Sequence, residues 1–290
     1  MEKSKHLKYK KYTAIVTVLI TLVVAATVTF AWYVYNTEKH TTNVHMAAGA
    51  GASLQISNTY GGTYGQSAVL EEFVGTLNPV STNVINGGDG FQKVLGFSNG
   101  SEMQPNLVAS LFGGGEFSDY YNTQLFLRSN GGDTRIYLAD IGYEDSNAAQ
   151  PISTAIRVGI VTHKPGQNQP VDREYVFAIN QGANPEAEYN TATGQEGYVL
   201  DSAKTDGTTV PFTPYTSDNY CDYDSDTGMV SLKTDSVPLC TVGGTDGGDY
   251  GDSVQVDIYI WLEGCDKDCT GNLSSMTLRN LALSFAGYTE

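Results

Sequence analysis

Chemistry in this chain would have to come from carboxylates, and the densest set is Asp222-Tyr223-Asp224-Ser225-Asp226-Thr227-Gly228, with Asp218 just upstream. Alternating aspartates can turn Asp222, Asp224 and Asp226 toward one hard cation, and Ca²⁺ takes about six to eight oxygen ligands. The run departs from an EF-hand loop, since Thr227 stands where the loop needs Gly and Lys233 where it needs the bidentate Glu. It reads either as a Ca²⁺ site or as a solvated acidic turn. Gly243-Gly244-Thr245-Asp246-Gly247-Gly248-Asp249 is similar to one repeat of a calcium β-roll, but it occurs once, and such rolls need stacked copies.

The four cysteines, Cys221, Cys240, Cys265 and Cys269, lie in the last quarter of the chain. Outside a reducing cytosol an even count reads as disulfides, with free buried thiols as the alternative. Of three pairings, Cys221 with Cys240 and Cys265 with Cys269 close short local loops and are favoured. Zinc is not indicated, because there is no C-x-x-C and His6, His40, His45 and His163 are remote in sequence. A hydrolytic triad would need a histidine in the folded body, and only His163 qualifies, beside Lys164-Pro165-Gly166, where an exposed turn residue is expected. H-E-x-x-H does not occur, and nothing singles out two carboxylates for glycoside hydrolysis. The expectation is a chain without enzymatic activity. Arg157, alone in the apolar run Ala155 to Ile160, reads as one half of a structural ion pair, with Glu263 as the expected partner.

The elements that must position these residues read as strands. Ser53-Leu54-Gln55-Ile56-Ser57 alternates with period two, and Val254, Val256, Ile258, Ile260 and Leu262 fall on one face of a later run, opposite Asp257, Tyr259, Trp261 and Glu263. Further runs, including Thr134 to Ile141 and Thr154 to Thr162, are punctuated by Gly and Asn clusters. The pattern predicts an all-β fold, a β-sandwich or jelly roll. Within it, Gln124 to Arg128 and Arg135 to Leu138 look like a hairpin closed by Asn130-Gly131-Gly132.

Five lysines precede an uncharged run from Tyr12 to Tyr35, long enough at ~1.5 Å per residue to cross the ~30 Å hydrocarbon layer as a helix. The basic prefix keeps the amino terminus inside and sends the rest out. The segment is either a retained anchor or a signal peptide cut between Ala31 and Trp32. The organisation expected is a membrane or signal segment at 1–35, a tether or donor strand at 36–52, and one domain at 53–290 with a long insertion near 183–228.

Without its first 31 residues the chain keeps 11 basic against 31 acidic residues, a formal charge of −20. That surface repels phosphate backbones and excludes nucleic acid as a partner.

Thr29-Phe30-Ala31-Trp32-Tyr33, with Asn36 to Ser57 and the first strand, resembles the start of the TasA/camelysin-like surface proteins of Gram-positive bacteria. Leu77 to Thr82 and Ile260 to Asp266 are similar to patches in exported proteins of the same bacteria. The resemblance implies cleavage near the aromatic junction and a jelly-roll subunit that polymerises by lending its amino-terminal strand. The expectation is therefore an exported cell-surface structural protein, a self-associating fibre or biofilm-matrix subunit. A membrane-anchored adhesin for a glycan or host ligand is the alternative, with Tyr120-Tyr121 and Tyr215, Tyr220 and Tyr223 as its aromatic contacts.

Overall fold

The β-branched and aromatic runs do form strands: the computed structural model is all-β and sandwich-like, two sheets that face each other across one apolar core. It describes residues 43–48, 54–70, 77–82, 85, 91–98, 104–109, 119–149, 151–180, 189–190, 195–196, 214–244, 248–264, 266, 268–269 and 278–289. The hydrophobic helix expected at 1–35 lies outside these, as does the Ala31–Trp32 junction. Among the described residues no helix is long and apolar enough to cross a membrane.

In chain order the strands are β1 (Asn43–Ala48), β2 (Leu54–Ser57), β3 (Ser67–Val69), β4 (Pro79–Ser81), β5 (Gln92–Ser98), β6 (Gln104–Ala109), β7 (Tyr121–Ser129), β8 (Thr134–Asp145) and β9 (Ile156–Pro165). There follow β10 (Val171–Ala178), β11 (Tyr189–Asn190), β12 (Gln195–Glu196), β13 (Asp222–Asp224), β14 (Met229–Ser231), β15 (Pro238–Val242), β16 (Val254–Glu263) and β17 (Leu278–Thr289). The first sheet runs β15-β8-β17-β1-β3. The second is organised on β16, which pairs with β9 along one side. On its other side β16 takes β7 from Val254 to Ile260 and then β4 at Leu262 and Glu263. Strand β10 extends that sheet beyond β9, β2 extends it beyond β7, and β5 and β6 follow β4.

The period-two pattern of β16 explains its central place. Val254, Val256, Ile258, Ile260 and Leu262 are all buried in the main core, each contributing about 1.5–3 kcal/mol of burial. From the opposite sheet they meet Ile136 and Leu138 of β8 and Leu281, Leu283 and Phe285 of β17. The reverse face of β16 is covered as well. Trp261 packs there with Val80, Ile85, Phe91, Val161 and Val176 in a second cluster. Gly159 makes the close approach possible, since a Cβ there would lie 2.4 Å from Ile85 Cδ1 and 3.0 Å from Trp261 Cζ3.

The hairpin expected between residues 124–128 and 135–138 does not form. Strands β7 and β8 follow each other in sequence but belong to different sheets, β7 beside β16 and β2, β8 beside β17 and β15. Leu125 and Leu127 face Ile136 and Leu138 across the core instead of lying beside them. The turn is shaped for crossing: Gly131 N donates to Ser129 Oγ at 3.0 Å, and Thr134 Oγ1 donates to the Gly132 carbonyl at 2.9 Å. Gly131 and Gly132 are not among the glycines with positive φ, so the left-handed pair that a tight hairpin needs is missing.

Candidate functional site

The segment taken as tether or donor strand contains a strand of its own. Strand β1 lies between two others, parallel to β17 from Asn43 opposite Ala282 to Ala48 opposite Gly287. On its far side it pairs antiparallel with β3, Asn43 to His45 against Val69 to Ser67. Parallel pairing is unusual in this molecule, where most ladders are antiparallel. Six residues span about 20 Å, and main-chain hydrogen bonds alone can hold such a strand in a sheet. Among the described residues the three-residue β3 alone lies outside it, and its Val69 is 57% exposed. Without β1, the β17 backbone from Ala282 to Gly287 would be an open edge able to accept another strand.

The acidic run forms the hairpin β13–β14. The Asp224 carboxylate accepts the backbone N–H groups of Asp226 at 2.9 Å and Thr227 at 3.2 Å, and Gly228 supplies the left-handed residue at φ 68°. A hydrogen bond from the Thr227 side chain, together with these two backbone bonds, holds the Asp224 carboxyl below the usual carboxylate range. Asp222 pairs instead with Lys233 at 3.2 Å. Among the described residues no three His, Cys, Asp or Glu side chains converge on a metal position, so Asp222, Asp224 and Asp226 are not brought together.

The pairing of Cys221 with Cys240 is likewise not found, and both thiols are free. Cys240 lies in the main core with Ile136 and Leu138, whereas Cys221 packs with Tyr137 and Ala286 on the other side of β8. Neighbouring residues of a strand point to opposite faces, so the sheet itself stands between the two sulfurs. Burial pushes the Cys221 thiol up to about 11 and the Cys240 thiol up to about 12. Cys269 is also buried, and its expected partner Cys265 lies outside the described residues.

His163 is not an exposed turn residue. Its Nε2 meets Asp257 Oδ2 at 2.8 Å and its Nδ1 meets the Gln169 carbonyl at 2.8 Å, so both ring nitrogens tie β9 to β16 and to the following turn. Several tyrosines proposed as ligand contacts are also turned inward: Tyr121 and Tyr220 are each 7% exposed, and Tyr215 packs on Phe177. Burial raises the Tyr220 hydroxyl well above its ordinary range.

Arg157 is fully buried, and the carboxylate that receives its Nη2 is Asp266, at 2.5 Å. Its Nη1 donates to the carbonyls of Thr154 and Ile156 at 2.9 and 3.0 Å. Glu263, the partner expected from sequence, accepts Trp261 Nε1 at 3.0 Å. The β-strand at residues 43–48 was missed as a fixed element, although Val44, His45 and Met46 alternate in polarity. The His163–Asp257 pair had no local signal, because the two residues are 94 apart in sequence.

Compared with family models, with curated proteins and with solved structures, the chain matches none of them.

Proposed function

We propose that this chain is an exported, non-enzymatic structural protein of the cell surface whose subunits assemble by exchanging the amino-terminal strand. The observation that carries this reading is the parallel ladder between Asn43–Ala48 and Ala282–Gly287. The strand nearest the expected membrane or signal segment fills a slot beside the carboxy-terminal strand. The same backbone bonds serve whether β1 comes from its own chain or from the next one, so exchange costs no contacts and joins subunits head to tail. Cleavage between Ala31 and Trp32 would free the strand to travel, and retention of 1–31 would leave a membrane-anchored monomer. A jelly-roll course for the sandwich, Gram-positive surface localisation and kinship with the TasA/camelysin-like proteins belong to this same reading. The adhesin alternative has less support, because Tyr121 and Tyr220 serve the core.

The test compares a chain starting at Trp32 with one starting at Gly49. Filaments or higher oligomers should appear by electron microscopy and light scattering only in the longer chain, and a peptide covering residues 32–48 should bind the shorter one. Filaments assembled by the shorter chain would overturn strand exchange.

A further inference from the structure

Away from the β1 edge, three side chains of complementary chemistry share one oxygen. Asp119 Oδ1 accepts Lys93 Nζ at 3.0 Å and Asn78 Nδ2 at 2.8 Å. The arrangement follows from register: Val80 and Lys93 are cross-strand partners in β4 and β5, and Asn78 lies two residues before Val80. An amine and a carboxamide are thus held no farther apart than two hydrogen bonds end to end, with an acid between them. Asp119 is 1% exposed, and its neighbour Tyr120 stacks on Phe91 with centroids 3.9 Å apart, next to Trp261. A surface ion pair needs no such enclosure.

We infer that Lys93 and Asn78 become joined by an isopeptide bond that the folded chain forms by itself, with Asp119 as the acid–base group. The step balances within the three side chains. The Lys93 ammonium passes a proton to the Asp119 carboxylate across their hydrogen bond. The freed amine attacks Asn78 Cγ, and the Nζ–Cγ bond forms as the Cγ–Nδ2 bond breaks. Asp119 returns its proton to the departing Nδ2, which already lies against Oδ1, and the second proton lost by Nζ goes the same way. One ammonium ion leaves, Asp119 ends ionised as it began, and no oxidant, metal or cofactor takes part. Holding the amine and the carboxamide against one acid removes the need for a bimolecular encounter, which favours an otherwise sluggish aminolysis. The bond would tie β4 to β5 at the base of the segment that carries Ile85 and Phe91 onto the outer face of β16. It would lock that segment without using any of the four cysteines.

Peptide mapping of the purified, reduced full chain tests this directly. Cleavage at Asp89 separates Asn78 from Lys93 in sequence, so the two fragments should emerge as one species, lighter by one ammonia than their sum, and trypsin should fail to cut after Lys93. Asp119→Asn, close in shape, and Lys93→Arg should each yield two separate fragments, with a cooperative thermal transition confirming that the variants fold. Fully separate fragments from the folded wild-type chain would overturn the inference whatever the variants do. A species lighter by one water, with Lys93 joined to Asp119, would overturn the roles assigned to Asn78 and Asp119.

Discussion

Arg157 and Asp266, 109 residues apart in sequence, meet inside the protein with no solvent to share their charge. Burial pushes the Asp266 carboxyl up and the guanidinium pulls it back down. Two carbonyls, of Thr154 and Ile156, take further donors of the arginine. Removing one partner strands the other. Arg157→Met should destabilise the fold by about 3–5 kcal/mol, whereas Arg157→Met combined with Asp266→Asn should cost clearly less than the two single changes added together. Urea denaturation of the four proteins measures the coupling, and strict additivity would count against a buried pair.

Gly159 gives a second test of how the outer face of β16 is covered. Gly159→Ala puts a methyl where Ile85 Cδ1 and Trp261 already sit, and should destabilise by about 1–3 kcal/mol. Shortening the neighbour with Ile85→Ala in the same chain should relieve part of that clash. Melting temperatures of the single and double variants decide the matter.

The buried thiols make an alkaline prediction. A group held above its ordinary value stabilises the fold while protonated, fully so below its unfolded value, and that contribution is lost as pH rises through the folded one. For Cys221 and Cys240 the window opens at 9.0 and closes at about 11 and about 12. The melting temperature should therefore fall as pH climbs through this range, and Cys221→Ala with Cys240→Ala should flatten the fall even if it lowers the starting point.

Arg128 is clasped between two rings, 3.8 Å from the Tyr64 centroid and 4.4 Å from that of Tyr250, while its Nε and Nη2 both bond Gln55 Oε1. A flat guanidinium can stack on both faces and a lysine ammonium cannot. Arg128→Lys should cost about 1–2 kcal/mol and speed proteolysis near Tyr64 and Tyr250, as followed by mass spectrometry of the early fragments.

The hairpin of Asp222, Asp224 and Asp226 should ignore calcium. Millimolar Ca²⁺ should leave the thermal transition unmoved, because Asp224 is already satisfied by its own turn and Asp222 by Lys233. Asp224→Ala, in contrast, should open the turn, read as faster amide exchange at Asp226 and Thr227.

Some of this could be read in the chain before any coordinates. Period-two runs such as Val254 to Leu262 announce strands because alternate side chains point to opposite faces, and the same logic marks the apolar face as core. The lack of a helical period in the body after residue 52 was equally legible. These are local properties, written within a few residues of one another. Partnership is not local. Whether Leu125 lies beside Ile136 or across from it, whether Cys221 reaches Cys240, and which carboxylate receives Arg157 depend on which strands share a sheet, and that is decided by how two apolar faces close over one core. The place of β1 beside β17 belongs to the same class. So does the meeting of Asn78, Lys93 and Asp119, since strand pairing brings the first two together and the return of the chain at β7 supplies the third.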